Sequence, residues 1–321
     1  MNILVTGAAG FIGFHLSKKL IEKKINVIGI DNLNNYYSVK LKKDRINFLK
    51  KHKNSKYFSF KKLDLRNEKL LNNFLNKKKI SYIVHLAAQA GIRYSLKNPR
   101  SYLENNIICL FNLMEFARNN KIKHFIFGSS SSVYGNLNIA PFKEGFDTSS
   151  PLQFYGSTKK AGEVFLKTYS HLYNLPVTCL RFFTVYGPWG RPDMAIFSFT
   201  KKILENKSLD VFNKGRMIRD FTYVDDIVEG IYQCILKKNN KFEIYNIGNQ
   251  NPIKLMNMIK LLENNLNKKA KIEFKSQHKT EMKLTHSSNS KAYKELSYKP
   301  KVNIKNGIKN FIKWYKDYYG K

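Results

Sequence analysis

The opening stretch Asn2-Ile-Leu-Val-Thr-Gly7-Ala-Ala-Gly10-Phe11-Ile12-Gly13 decides the fold of this chain. Its first five residues are a short, largely β-branched run stopped by glycine, which predicts a buried strand. A helical pattern follows over Ile12–Lys23. Between the two, Gly7, Gly10 and Gly13 are spaced G-x-x-G-x-x-G. Glycine here permits a tight turn, the approach of a pyrophosphate to bare backbone, and close helix–strand packing. The helix start at Phe11, Ile12 and Gly13 then offers free N–H groups and a positive dipole end to the phosphates. Strand, glycine loop and helix together predict a dinucleotide site.

The same alternation continues outward. Candidate strands Asn26–Ile30, Tyr57–Lys61, Tyr82–Leu86, His124–Gly128 and Pro176–Arg181 are separated by helical stretches, notably Pro99–Asn119 and Tyr155–Tyr173. The inner strands are continuous apolar runs, as expected where helices cover both faces of a parallel sheet. The predicted class is α/β: a Rossmann-type doubly wound parallel sheet over residues 1–183, then a smaller C-terminal α/β substrate-binding lobe, mainly 184–321, with chain crossing between the lobes allowed. The second lobe reads as helices Met194–Glu205, Val224–Lys237 and Ile304–Tyr318 with short strands Asp210–Phe212 and Arg219–Tyr223. The last helix places Ile304, Ile308, Phe311 and Tyr315 on one face.

Strand ends supply the candidate ligands. Asp31, beside Asn32, ends the second strand, where a carboxylate accepts hydrogen bonds from an adenosine ribose and repels a 2′-phosphate, favouring NAD over NADP. Asp64 and Leu65 follow the third strand, placed to flank an adenine. Leu86, Ala87, Ala88 and Gln89 follow the fourth, with small side chains that let backbone approach the cofactor. The fifth strand runs into Gly128-Ser-Ser130-Ser-Ser132-Val-Tyr-Gly135, a hydroxyl cluster at the end of the sheet where open parallel sheets bind ligands. Tyr155 and Lys159 then stand four residues apart at a helix start, on one face. A phenol of ordinary pKa about 10 is a poor base at neutral pH, and a fixed cation beside it favours the phenolate.

Composition narrows the alternatives. The chain has 321 residues, 43% of them hydrophobic, enough for a large core. The net charge of +34 is carried by Lys scattered through every segment, which predicts solvated faces rather than a nucleic-acid or membrane patch and still attracts an anionic substrate. Cys109, Cys179 and Cys234 are too dispersed for a disulfide framework or a metal site, so no metal is expected. The apolar start lacks the basic segment and cleavage site of a secretory signal, and no apolar run approaches the ~20 residues of a membrane span. A cytoplasmic protein is expected.

Glycine loop, acidic ribose ligand, serine cluster and Tyr-x-x-x-Lys, in that order, resemble the extended short-chain dehydrogenase/reductases over nearly the whole chain. The segments Leu86-Ala-Ala-Gln-Ala-Gly-Ile-Arg-Tyr-Ser95, Ser129-Ser-Ser-Ser-Val-Tyr-Gly135, Arg181-Phe-Phe-Thr-Val-Tyr-Gly-Pro-Trp-Gly-Arg-Pro-Asp193 and Arg219-Asp-Phe-Thr-Tyr-Val-Asp-Asp226 resemble the nucleotide-sugar epimerases of this group, most closely UDP-glucuronate 4-epimerases of capsule and cell-wall polysaccharide synthesis. The resemblance implies an NAD-dependent isomerase in which Tyr155 takes the sugar 4-hydroxyl proton while hydride leaves C4. It implies that Lys159 holds the nicotinamide ribose and that Ser130, with Ser132 nearby, bonds the 4-oxygen. Thr184 and Arg191 fall where the family grips the sugar carboxylate, Arg219 where it meets the diphosphate, and Phe212 near the uracil. It also implies a homodimer through the helices 99–119 and 155–173, with which Ile107, Phe111, Phe165 and Leu172 are compatible.

The 4-keto intermediate of such a reaction is a β-keto acid, and it loses CO₂ when the breaking C–C bond aligns with the carbonyl π system. An Arg holding the carboxylate bidentately out of that alignment favours epimerisation. One segment departs from the family pattern: in Gln277-His-Lys-Thr-Glu-Met282 the usual Gly-Asp pair reads Lys279-Thr280, with Glu281 next to it. Asp220, Asp225 and Asp226 read equally well as helix caps. The competing readings are a UDP-glucuronate decarboxylase, a UDP-hexose 4-epimerase, or a non-catalytic nucleotide- or RNA-binding module.

Replacing Tyr155 by Phe removes the proton carrier and keeps the ring. Turnover is expected to fall by about 10²–10⁴-fold; a loss under about tenfold in steady-state assays assigns the base elsewhere.

Overall fold

A computed structural model describes residues 1–238, 241–276, 280 and 282–320. In chain order the elements are β1 (Asn2–Thr6), α1 (Phe11–Glu22), β2 (Asn26–Asp31), α2 (Val39–Lys51), β3 (Phe58–Lys62), α3 (Glu68–Leu75), β4 (Tyr82–His85), α4 (Tyr94–Lys97), α5 (Pro99–Tyr102), α6 (Cys109–Asn119), β5 (His124–Ser130), α7 (Phe154–Tyr173) and β6 (Val177–Phe182). There follow β7 (Thr184–Tyr186), α8 (Ala195–Leu204), β8 (Leu209–Phe212), β9 (Ile218–Arg219), β10 (Phe221–Tyr223), α9 (Val224–Leu236), β11 (Phe242–Ile247), β12 (Ile253–Lys254), α10 (Leu255–Leu266), β13 (Ile272–Lys275), α11 (Ser290–Leu296) and α12 (Ile304–Tyr319).

Seven strands form one parallel sheet in the order β11-β6-β5-β4-β1-β2-β3. The chain winds from β1 to one edge through β2 and β3, then returns beside β1 with β4. The loops after β1 and β4 therefore part at the centre of the sheet, the switch point where such sheets bind ligands. One face is covered by α1, α9 and α11 over Ile3, Val5, Phe14, Ile227 and Tyr298. The other is covered by α3, α6 and α7 over Leu4, Ile83, Leu113, Phe127 and Leu166. A third apolar cluster, including Phe197, Val211, Met258, Ile308, Phe311 and Tyr315, is built wholly from residues beyond Phe183.

The chain also crosses back. After β7 and α8 it returns through α9, which packs on α1, and β11, which pairs with β6 residue by residue from Phe242–Val177 to Ile247–Phe182. β11 has no counterpart among the predicted strands, because Phe242-Glu-Ile-Tyr-Asn-Ile247 is not a continuous apolar run. Its first residues are only half-buried, as suits a sheet edge.

Three other differences have local causes. The predicted helix 99–119 is interrupted by a π turn at Leu103–Ile108. That wider turn carries the buried Asn106, whose side chain accepts from Gln89 N at 2.8 Å and donates to Gln89 O and to Thr158 Oγ1 at 3.1 and 2.9 Å. The predicted strand 219–223 divides at Asp220: Arg219 pairs antiparallel with Ile253, whereas Phe221 pairs parallel with Thr184. Asp220 is no helix cap. Its fully buried carboxylate accepts from Asn249 N, Gln250 N, Ser287 N and Ser287 Oγ, pinning two loops against the strand pair. In α12, Ile308, Phe311 and Tyr315 are buried as the periodicity predicts, joined by Ile312, while Ile304 is only half-buried.

Three histidines bond to neighbouring segments: His85 and His124 each bridge adjacent strands of the sheet, and His15 joins α1 to the loop after β7. His15 Nε2 lies 2.8 Å from Pro188 O, His85 Nδ1 lies 2.7 Å from Thr6 Oγ1, and His124 Nε2 lies 2.8 Å from Thr178 Oγ1. Burial lowers His15 and His85 to about 3 and His124 to about 4. An unfolded histidine takes up its proton near pH 6.5, so below that pH the unfolded chain binds more protons and stability falls. Urea titrations between pH 6.5 and 5 should show the unfolding free energy dropping by up to about 1.4 kcal/mol per pH unit for each histidine. Replacing His124 by Asn should flatten that slope.

Candidate active site

The strand C-termini open into a cavity of about 770 Å³ that continues under the second lobe. At its floor the glycine loop turns through Gly7, whose φ is +71°, and Gly7 O accepts from Gly10 N at 2.8 Å. A Cβ on Gly7 would stand 2.8 Å from Ala87 N, and one on Gly13 would stand 2.1 Å from Gly7 O. Phe11 and Ile12 begin α1 on the cavity wall, and among the described residues no side chain caps that helix start. The N–H groups left over suit a diphosphate.

Asp31 lies at the end of β2, its carboxylate accepting from Ala9 N at 3.2 Å and Leu33 N at 2.8 Å. Burial raises its pKa, opposed by those two N–H groups and by the Lys42 and Arg45 charges. Asn32 donates to Asp64 at 3.3 Å, and Asp64 is clasped by Arg66. Leu65, Leu86, Ala87 and Ala88 complete the wall around this end. Two loop glycines whose Cβ positions are filled by backbone, an uncapped helix start and a half-buried carboxylate at the second strand fit a dinucleotide with free ribose hydroxyls.

Above the middle of the sheet, Ser130 ends β5 and Tyr155 stands in the first turn of α7. Burial pushes the Tyr155 phenol up; a hydrogen bond with Ser130 and the charge of Arg191 pull it down. Ser132 lies one turn further on, its N–H donating to Ser130 Oγ at 3.1 Å, so Ser130 is the hydroxyl that meets the phenol. Lys159 departs from the simple picture of a cation seated on the phenolate. Its Nζ donates to Gly128 O at 2.7 Å and lies 4.7 Å from the centre of the Phe127 ring. Burial lowers Lys159 to about 7, against the pull of Cys179 and Glu163. These contacts place the Lys159 head beside β5.

The second lobe contributes the roof. Thr184 starts β7, its N–H bonded to Asp220 O at 3.0 Å. Arg191 sits in the loop after β7 and forks onto Asp193 through Nε at 3.0 Å and Nη2 at 2.5 Å. Phe212 ends β8, with the Arg93 guanidinium 3.9 Å over its ring. Arg219 lies on β9, Nη1 donating to Ile218 O and Lys283 O at 3.0 and 3.3 Å and Nη2 reaching Met217 Sδ at 3.3 Å. All these predicted residues line the one cavity.

The sequence reading missed several residues that share it. Arg93 lies within the 86–95 motif and Asp193 ends the 181–193 motif, and both line the cavity. Tyr36, whose hydroxyl donates to Asp193 at 3.3 Å, carries no local signal; nor does Asn106, which stands behind the cavity wall and bonds to its lining residue Gln89. Of the atypical 277–282 segment, Gln277, His278, Lys279 and Glu281 lie outside the described residues. Thr280 is buried, its carbonyl accepting from Gln153 Nε2, and Met282 lines the cavity. Asp225 and Asp226 lie in the first turn of α9; Asp226 accepts from Lys301 N and Val302 N at 2.9 and 3.1 Å. Among the described residues no group of three or more His, Cys, Asp or Glu side chains is arranged to hold a metal ion, and no helix is long and apolar enough to cross a membrane.

This fold and site define a dinucleotide-dependent enzyme that moves a proton and a hydride at one carbinol carbon. The chain matches the NAD dependent epimerase/dehydratase family over residues 3–248 and belongs to it. It is 44% identical to Protein CapI of Staphylococcus aureus, with all of both chains covered. It is 41% identical to UDP-glucuronate 4-epimerase 1 of Arabidopsis thaliana, covering 100% of this chain and 78% of that one. Among solved structures, UDP-glucuronic acid 4-epimerase from Bacillus cereus in complex with UDP-glucuronic acid and NAD superposes with a TM-score of 0.91. It is 36% identical, over 99% of this chain and 100% of that one.

Replacing Gly13 by Ala drives a methyl group into Gly7 O. Titration calorimetry should show NAD affinity falling by about a hundredfold, roughly 3 kcal/mol, while circular dichroism retains the fold.

Proposed function

We propose that this protein interconverts UDP-glucuronate and UDP-galacturonate by inversion at C4, with NAD as a resident cofactor. The observation that carries the reading is the convergence of Ser130, Tyr155, Thr184 and Arg191 on one cavity whose floor is the dinucleotide loop. Bound NAD supplies a hydride acceptor and donor, so a carbinol can be oxidised and reduced again without net redox change. The glycine loop and α1 start would hold its diphosphate, Asp31 its adenosine ribose, and Lys159 its nicotinamide ribose.

The chain's own groups handle the proton. Tyr155, as phenolate, accepts the 4-hydroxyl proton, and Ser130 hydrogen-bonds the same oxygen as its charge changes. Because the Tyr155 phenol is raised in the protein alone, its ionisation depends on positive charge gathered around it. Arg191 is one source within electrostatic reach. Thr184 and Arg191 bind the uronate carboxylate, Arg219 neutralises diphosphate, and Phe212 packs by the base. Rotation of the 4-keto sugar about its diphosphate presents the other face before Tyr155 returns the proton.

We place the cofactor and catalytic residues in a domain of residues 1–183, completed by α9 and β11, and the sugar nucleotide mainly under 184–321. A homodimer accords with the exposed apolar side chains Phe111, Phe165 and Leu172 on α6 and α7; Ile107 is only half-buried. A cytoplasmic location accords with three free, buried cysteines. The product would serve uronate-containing polysaccharides.

Incubation of the NAD-replete protein with UDP-glucuronate, followed by proton NMR, tests the reading. The C4 epimer should accumulate to an equilibrium mixture reached from either sugar. CO₂ with a pentose product supports a decarboxylase instead, and no conversion of either uronate overturns both.

A further inference from the structure

Arg191 reaches the cavity already engaged. A guanidinium carries five N–H donors in one plane. The fork onto Asp193 consumes Nε–H and one hydrogen of Nη2. What remains for a second carboxylate is the end-on edge, Nη1 with the other Nη2 hydrogen. Asp193 is itself fixed by the Tyr36 hydroxyl, 3.3 Å away on the loop that follows Asp31.

The backbone beneath Arg191 is fixed as well. The fully buried Arg45 donates to Trp189 O at 2.5 Å, to Gly190 O at 3.3 Å, and to Ala9 O in the glycine loop at 2.8 Å. Trp189, held at φ +58°, packs against Phe14 of α1 and Trp314 of α12. The loop carrying Arg191 is thus registered against the cofactor loop on one side and against Tyr36 on the other. Arg45 and Arg191 both lie within electrostatic reach of Lys42. Asp193 is the carboxylate that pairs directly with Arg191 among the described residues.

We propose that Asp193 is a positioning residue that sets the outcome at the 4-keto stage. By taking the side-on edge of Arg191 it leaves one coplanar, end-on edge for the uronate carboxylate, and so sets the torsion about the sugar C5–C6 bond. This rests on the UDP-uronate reading above. The competing step is loss of CO₂. The C5–C6 bond breaks, its electron pair enters the C4–C5 π bond to give the 4-enolate, and a proton is taken up at C5. The hydride removed from C4 then returns there, giving the pentose, CO₂ and no net redox change. The step requires the C5–C6 bond perpendicular to the carbonyl plane. A guanidinium free to turn would no longer exclude that geometry, and its side-on edge would compete for the carboxylate.

Full-length protein with saturating NAD is compared as wild type, Asp193→Asn, Asp193→Glu and Arg191→Ala. NMR reads the ratio of C4 epimer to pentose formed from UDP-glucuronate, and calorimetry reads binding of UDP-glucuronate and of neutral UDP-glucose. Asp193→Asn should raise the pentose share at least about tenfold and weaken UDP-glucuronate binding about tenfold, the scale of one lost charge-assisted pair. UDP-glucose binding should change less than about threefold, and Asp193→Glu should restore part of the product ratio. If Asp193→Asn is poorly folded by circular dichroism, Tyr36→Phe should move the product ratio in the same direction by a smaller factor. An unchanged ratio in the folded variant, or equal loss of affinity for both sugars, overturns the proposal. Wild-type protein that converts neither uronate overturns the underlying reading, which is told apart by the wild-type arm alone.

Discussion

The site depends on how closely the loop after β1 approaches the loop after β4. Gly7 lies so near Ala87 that no side chain fits between them, and Gly13 lies as tightly against Gly7 O. That contact is a consequence of strand order. β4 returns beside β1 after two strands have gone the other way, so the two loops diverge over the same point and leave a crevice floored by backbone. A parallel sheet also delivers every strand end to one edge. Gly7, Asp31, Asp64, Leu86 and Ser130 therefore line one cavity although they are spread over more than a third of the chain.

The second half of the chain is tied to this frame by buried polar groups rather than by a separate core alone. Arg45 joins the glycine loop to the loop of Trp189 and Gly190, and Asp220 gathers the backbone of 249–250 and 287 behind β9 and β10. Unpaired, such groups would be costly in the interior, so their partners are held in one arrangement. The result is a roof whose arginines are already oriented. Arg191 is set by Asp193 and Arg219 by two carbonyls, so less side-chain freedom remains to be lost when an anionic ligand enters.

Tyr155 and Lys159 show what spacing alone does and does not convey. Four residues on a helix bring the phenol and the amine to one face. The environment of each is then chosen by different parts of the fold: Ser130 and Arg191 for the phenol, the Gly128 carbonyl and Phe127 ring for the amine. Asn106, turned inward by the π turn, reaches both Gln89 and Thr158 and so locks α7 to the loop after β4. A change of hydrogen-bond register inside a helix leaves no mark in hydrophobic periodicity, which is why that segment reads as one continuous helix.

By itself the sequence determined the layered α/β class, six of the seven sheet strands to within two residues at their ends, the glycine loop and the cavity-lining residues of the motifs. These are encoded locally, in glycine spacing, apolar runs and the period of helices. Tertiary structure alone decided the recruitment of β11 to the sheet edge, the division of 219–223 at Asp220, and the placing of Arg93 over Phe212. It also decided that Arg191 enters the cavity with Asp193 on one edge and Tyr36 behind. Each of these is a contact between segments far apart in the chain or a choice among hydrogen-bond partners, and neither leaves a local pattern to read.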